Sequence, residues 1–84
     1  MFYVYLLKSK KDNSPYIGYT NDLKRRFVEH NNRENRSTKH KAPFELVYYE
    51  AYKSKADAKY RESQLKRFGQ AKKALWERLK NSLV

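Results

Sequence analysis

One carboxylate stands out by its position. Glu62 comes four residues after Ala58 and three before Leu65, so on a helix it lies in line with two apolar side chains. A carboxylate beside an apolar stripe needs a partner: a cation, hydrogen-bond donors or a metal ion. A salt bridge at the helix edge, to Lys59, Lys66 or a residue across the interface, would meet that need with no chemistry at all. A metal ion would also meet it. Arg26 and His30 are four apart and share one face of an earlier helical stretch, where they could lie in solvent or meet an anion. Tyrosine occurs eight times, a high number for this length. Each tyrosine is an ordinary strand residue whose hydroxyl can sit at a rim. Taken singly, none of these residues requires an active site.

The charge narrows the choice of partner. Lys and Arg number 20 against nine acids, a formal net charge of +11 on 84 residues. Such a surplus repels itself unless a polyanion or counterions offset it. Nucleic acid is the commonest polyanion, ribosomal RNA included. An anionic membrane surface fits less well, since no helical stretch sets a broad apolar face against a basic one. No apolar run approaches the ~18 residues of a membrane span. Phe2 to Leu7 is too short for a signal-peptide core and has no cationic region before it, so a cytoplasmic protein is expected. Without cysteine there is no disulfide framework and no thiolate metal site. The length predicts a single domain, residues 1–84, with one modest core.

The elements that must position these residues can be read from the pattern. Residues 2–7, FYVYLL, are apolar without a break and predict a strand covered on both faces. Asp12-Asn13-Ser14-Pro15 marks a turn, and Tyr16-Ile17-Gly18-Tyr19 a second strand, so the two form a hairpin. Gly18 suggests a backbone that must bend or admit something close. Thr20, Asn21 and Asp22 offer N-cap side chains for a helix over about 22–31, with Leu23 and Phe27 on its inner face. Residues 32–43 carry four Lys and Arg residues, a histidine and no large apolar residue, and predict a mobile basic loop. Residues 44–52 predict a third strand, with Phe44, Leu46 and Tyr48 on one side and Glu45, Val47 and Tyr49 on the other. Ser54 to Asp57 resembles a capping box for a helix ending near Phe68, with Gly69 as its C-terminal cap. A last helix from about Gln70 to Asn81 aligns Ala71, Leu75 and Leu79. The order β-β-α-β-α-α predicts an α+β fold, a small three-stranded antiparallel sheet flanked by helices.

The order of the singular residues changes their weight. Tyr3-Val4-Tyr5, then Tyr16-Ile17-Gly18, then Thr20, Asp22, Leu23, Arg26, His30 and Asn31 in the pattern T-x-D-L-x-x-R-x-x-x-H-N, then Ala58 with Glu62, resembles the GIY-YIG nuclease family over about residues 2–68. The second triplet reads YIG, while the first reads YVY, with Tyr3 where the family name has glycine. The resemblance implies a metal-dependent endonuclease that hydrolyses a phosphodiester bond, with structure-selective cleavage of DNA and a part in DNA repair as expectations. It implies that Tyr5 assists deprotonation of the attacking water. Tyr16 would position the scissile phosphate or that water, Arg26 would neutralise phosphate charge, and His30 would orient or protonate there. Glu62 would hold a single Mg²⁺ or Mn²⁺ ion. No small-molecule cofactor is expected.

These roles suit the chemistry. A phosphodiester transition state gains negative charge, which a metal ion and an arginine stabilise. Tyrosine titrates near 10, so a base role needs help from its surroundings. Larger family members carry an Asn after the metal-binding Glu, but here Asn81 comes late and on the last helix, so that role is not transferred. Nucleic-acid contact is expected from Lys24 and Arg25 on the first helix. Arg33, Arg36, Lys39 and Lys41 in the basic loop should widen the footprint without doing chemistry. Two other functions compete: a basic nucleic-acid-binding module without turnover, for DNA or RNA, and a small structural protein bound to RNA. A pure binder has no need of Tyr5, Tyr16, Arg26 and Glu62 together.

Overall fold

The structure is a computed structural model that describes residues 1–83; Val84, the last residue of the expected 1–84 domain, lies outside the described residues. The element order is β1 (Phe2–Ser9), β2 (Pro15–Thr20), α1 (Leu23–Asn31), a 3-10 turn (Lys39–Lys41), β3 (Phe44–Tyr52), α2 (Lys55–Arg67) and α3 (Gly69–Arg78). The three strands are antiparallel in the order β2-β1-β3. The α+β fold with the order β-β-α-β-α-α is therefore the one the sequence predicts. The hairpin turns through Asn13 at φ 63°, a left-handed conformation that Asn tolerates better than most residues.

Central strand β1 separates two cores. Val4 and Leu6 face α2 and α3, packing with Ile17, Ala58, Leu65 and Leu75. Tyr5 and Leu7 face the other way, toward Ala42 and Phe44 and the partly buried Tyr16, Leu23, Phe27 and Leu46. This is why residues 2–7 carry no polar alternation: both faces of the strand are covered. Ala71 and Leu79 join Leu75 against the first core, as their spacing predicts. Burying each of these leucines contributes roughly 2 kcal/mol.

The helix starts follow local chemistry. Asp22 caps α1 by accepting from the Arg25 N–H at 3.1 Å, and Ser54 caps α2 by accepting from the Asp57 N–H at 3.4 Å. Arg33, at φ 62°, turns the chain away after α1.

Four expectations are corrected. The alternation along β3 breaks, because β1 and β3 shift register between Leu6 and Leu7. Leu7 faces Leu46 while Leu6 faces Tyr48. The bulge sends Val47 and Tyr48 to the α2–α3 face, away from Phe44 and Leu46. Gly69 does not cap α2 in a left-handed conformation: the extended Phe68 ends that helix and Gly69 opens α3. Helix α3 ends at Arg78, so Asn81 lies beyond it, in a turn. The segment 32–43 is not a free loop, since Thr38 and Ala42 are buried and anchor it.

Candidate nuclease active site

The residues in question come from β1, β2 and α1 on one face of the sheet, with α2 arriving from the other. Tyr5 is buried at the centre of β1. Its hydroxyl oxygen lies 2.9 Å from His30 Nε2, and His30 Nδ1 lies 2.8 Å from Thr38 Oγ1. His30 has no exposed surface. Its ring meets those of Tyr5 at 5.8 Å, Tyr16 at 5.1 Å and Phe44 at 5.8 Å, each edge-on. The next residue fixes the framework: Asn31 Oδ1 accepts from the Phe44 N–H at 2.5 Å, tying the end of α1 to the start of β3.

Enclosure sets the protonation states. Burial, aided by the Arg26 guanidinium, pushes His30 down to about 4, so it is neutral at physiological pH. Burial pushes Tyr5 up to about 12. Arg26 beside it pulls the other way, while Tyr16 and Glu62 add to the rise. Burial works against the Arg26 charge as well. Hydrogen bonding to Glu29, where Nη1 lies 3.0 Å from Oε1, and to Tyr5, with the charge of Glu29, together more than offset this and keep the guanidinium charged.

Gly18 has a specific reason to be glycine. It is the cross-strand partner of Tyr5, and a Cβ there would lie 2.3 Å from the Tyr5 hydroxyl oxygen. The YIG glycine makes room for the tyrosine of the first strand. Tyr3, two residues before Tyr5 on the same face, meets the Tyr49 ring edge-on at 6.0 Å. It lines a hollow of about 480 Å³ with Leu23, Phe27 and Leu46.

Glu62 reaches this group from α2. It lies between Ala58 and Leu65, both buried, and its charge acts on the ionisation of Tyr5. Lys66 Nζ donates to Glu62 Oε2 at 3.1 Å and stands 5.8 Å from the centre of the Tyr16 ring. The helix-edge salt bridge foreseen for Glu62 is thus present, and so is its approach to the tyrosines. Tyr5, Tyr16 and His30 thus pack together, Arg26 hydrogen-bonds to Tyr5, and the charge of Glu62 is felt at the Tyr5 hydroxyl. Among the described residues, no three His, Asp or Glu side chains cluster in a way that could hold a metal ion.

The expected nucleic-acid contacts divide. Arg33 and Lys39 line one hollow together with Lys11 and His40. Lys41 is paired with Asp12 at 3.5 Å and donates to Ser14 at 3.1 Å. Arg25 lies 3.7 Å from Glu29, Lys24 borders the hollow beside Tyr3, and Arg36 is exposed.

Comparison with known proteins decides the family. The model of the GIY-YIG catalytic domain matches residues 1–74. The chain belongs to the GIY-YIG family. Among its relatives, a UPF0213 protein of Staphylococcus saprophyticus is 40% identical over 72 residues, covering 84% of this chain and 87% of the relative. A UPF0213 protein of Bacillus subtilis is 39% identical over 82 residues, covering 95% and 82%. The solution NMR structure of a UPF0213 protein from Bacillus halodurans matches with a TM-score of 0.58 at 38% identity, covering 95% of this chain and 86% of that one. The GIY-YIG assignment carries a nuclease-type fold. No helix among the described residues is long and apolar enough to cross a membrane.

Sequence reasoning named Tyr5, Tyr16, Arg26, His30 and Glu62 through their order. It missed Thr38, which fixes the His30 ring, because a threonine in a basic loop has no periodic neighbour to mark it. It named Lys66 only as a salt-bridge partner, and saw Asn31 only as part of a pattern.

Proposed function

We propose that this GIY-YIG protein is a metal-dependent endonuclease that hydrolyses a phosphodiester bond in DNA, selecting its substrate by structure. The observation that carries the reading is the buried 2.9 Å contact between Tyr5 and His30. A tyrosine held near 12 beside a histidine held near 4 is, at rest, a phenol against a neutral imidazole. With the Nδ1 proton assigned to the hydrogen bond with Thr38, Nε2 accepts from the phenol. One lone pair of the Tyr5 oxygen accepts from Arg26, and the other would accept a proton from the attacking water. As the water oxygen bonds to phosphorus, its proton passes to Tyr5 and the phenol proton passes to His30 Nε2. The bond to the leaving oxygen breaks in the same displacement, its electron pair staying on that oxygen, which takes a proton from solvent.

The remaining residues act on charge and position. Arg26 lies beside the phenol and offsets negative charge growing on the phosphate oxygens. Tyr16, packed edge-on against His30, fixes the near side of the phosphate. Glu62 suits a hard cation. It is one carboxylate with 18% of its side chain exposed, leaving room for water and phosphate oxygens to complete a shell. A bound Mg²⁺ or Mn²⁺ would supply Lewis-acid stabilisation of the phosphate. Selection by structure follows from a surplus of cations spread along the chain, which contacts phosphates without reading bases.

A second reading, a binding module without turnover, has one observation in its favour. Lys66 already neutralises Glu62. One experiment separates the two. Purified protein is incubated with branched, nicked and single-stranded DNA, and with matched RNA, in Mg²⁺, Mn²⁺ or EDTA. Metal-dependent cleavage of DNA is expected. Binding to these substrates without cleavage in either metal would establish the module instead.

A further inference from the structure

The basic segment after α1 does not present its cations evenly. Lys11 on the β1–β2 turn, Arg33, Lys39 and His40 converge on one hollow of about 220 Å³ whose lining contains no acid. Lys41, from the same segment, is turned away toward Asp12 and Ser14. The convergence holds because the turn and the segment are pinned together. Ser9 Oγ donates to the Lys41 carbonyl at 2.6 Å, the Lys10 N–H to the Pro43 carbonyl at 2.8 Å, and Lys11 Nζ to the His40 carbonyl at 3.3 Å.

A second observation concerns Arg33 alone. It ends α1 at φ 62°, where glycine or asparagine would be cheapest. An arginine there holds a disfavoured backbone, and such strain is characteristic of sites that need the side chain. Arg33 is also tied to the active site, since its N–H donates to the His30 carbonyl at 3.2 Å. Lys39 follows Thr38, whose hydroxyl meets the His30 ring. The hollow and the Tyr5–His30 pair therefore share one rigid support.

We propose that Lys11, Arg33, Lys39 and His40 form a built phosphate subsite, distinct from the place of the scissile phosphate, that holds a second backbone phosphate of the nucleic acid. The occupant rests on the nucleic-acid reading above. It follows from charge and shape: several cationic or polar donors around one small hollow suit a compact oxyanion. Because the hollow shares His30 as its support, it fixes how far along the strand the cut falls from the anchored phosphate.

The test uses Arg33→Gly and Lys11→Gln, with Lys53→Gln as the control of equal charge change. Lys53 follows β3 at the opposite end of the sheet, where Tyr52 pairs with Phe2. Glycine suits the backbone at position 33, so Arg33→Gly should fold at least as stably as the parent. Affinity for a labelled DNA is measured over a range of salt, and the amide NMR spectrum is followed on addition of inorganic phosphate. Arg33→Gly and Lys11→Gln should each lower the slope of log affinity against log salt by about 1 relative to Lys53→Gln. Phosphate should shift the amides of residues 11, 33, 39 and 40 in the parent and not in Arg33→Gly. If the parent binds DNA and both variants lose no more than Lys53→Gln, the subsite is overturned while the nuclease reading stands. If the parent binds no nucleic acid, the nuclease reading fails, and the occupant proposed for the hollow fails with it.

Discussion

Gly18 and Tyr5 face each other across β1 and β2, and the missing side chain of one is the space filled by the hydroxyl of the other. A methyl group at position 18 would need the Tyr5 ring to move, yet that ring is held at its far end by His30. Gly18→Ala should therefore cost about 1–3 kcal/mol by overpacking. Cleavage should fall at least tenfold, because the phenol leaves its hydrogen bond. Thermal midpoint and single-turnover rate measure both effects. Unchanged values for both would mean that Tyr5 has slack the geometry does not show.

Removing the Tyr5 hydroxyl tests the proton path itself. Tyr5→Phe keeps the ring and its packing but leaves His30 Nε2 buried without a donor, at a cost of about 1–3 kcal/mol. Loss of acid–base assistance should lower the single-turnover rate by roughly a hundredfold or more at saturating protein. DNA affinity should hardly change. A rate within threefold of the parent would remove Tyr5 from the chemistry.

The depressed histidine predicts the response to acid. Its folded value of about 4 lies below the ordinary 6.5, so between these limits the unfolded chain binds the extra proton. Stability is therefore lost as pH falls from about 6.5 toward 4, by up to about 3 kcal/mol. Glu50 adds to the loss in more acidic solution. Burial alone would raise its value, but Tyr48, Tyr52 and Arg61 all donate to it and hold it below the usual carboxylate range. Denaturant unfolding of the parent and His30→Gln at several pH values isolates the histidine. A flatter slope for the variant between pH 4 and 6.5 is expected, and parallel slopes would show that His30 does not titrate as described.

Glu62→Gln separates catalysis from binding. Gln keeps the size and one acceptor oxygen but removes the charge that a hard cation needs. Metal-assisted cleavage should drop by orders of magnitude, while affinity without metal stays equal or rises, since a negative charge near the phosphates is gone. If Glu62 only pairs with Lys66, the same change should instead cost about 0–1 kcal/mol of stability and leave cleavage alone. Rate, affinity and thermal midpoint on one variant distinguish these outcomes.

What the sequence made legible was what has a period or a fixed order. The unbroken run in β1, the Ser54 cap and the Ala71-Leu75-Leu79 stripe each announce a local geometry, and each is found. The ordered tyrosines, Arg26, His30 and Glu62 could be assigned to elements because a helix or strand was readable under each. The β3 bulge was hidden, since Val47 and Tyr48 are both good strand residues and only the pairing with Leu6 and Leu7 decides their faces. Gly69 misled because a glycine after a helix most often caps it, whereas here the extended Phe68 had already ended α2. Thr38 and the hollow around Arg33 depend on contacts between the hairpin turn and a distant segment, which no local pattern records.

The division of β1 between two cores also bears on how errors in this fold are detected. Val4 and Leu6 serve one face, Tyr5 and Leu7 the other, so neighbouring residues belong to different halves of the molecule. A slip of one residue would drive the Tyr5 hydroxyl among Ala58, Leu65 and Leu75 and turn Leu6 toward His30. Tyr5 would also lose its place opposite Gly18. The mispaired chain would thus bury an unmatched hydroxyl and clash within the sheet together. An intact but shifted register is not an available resting place, so stably folded molecules with β1 out of register should not accumulate.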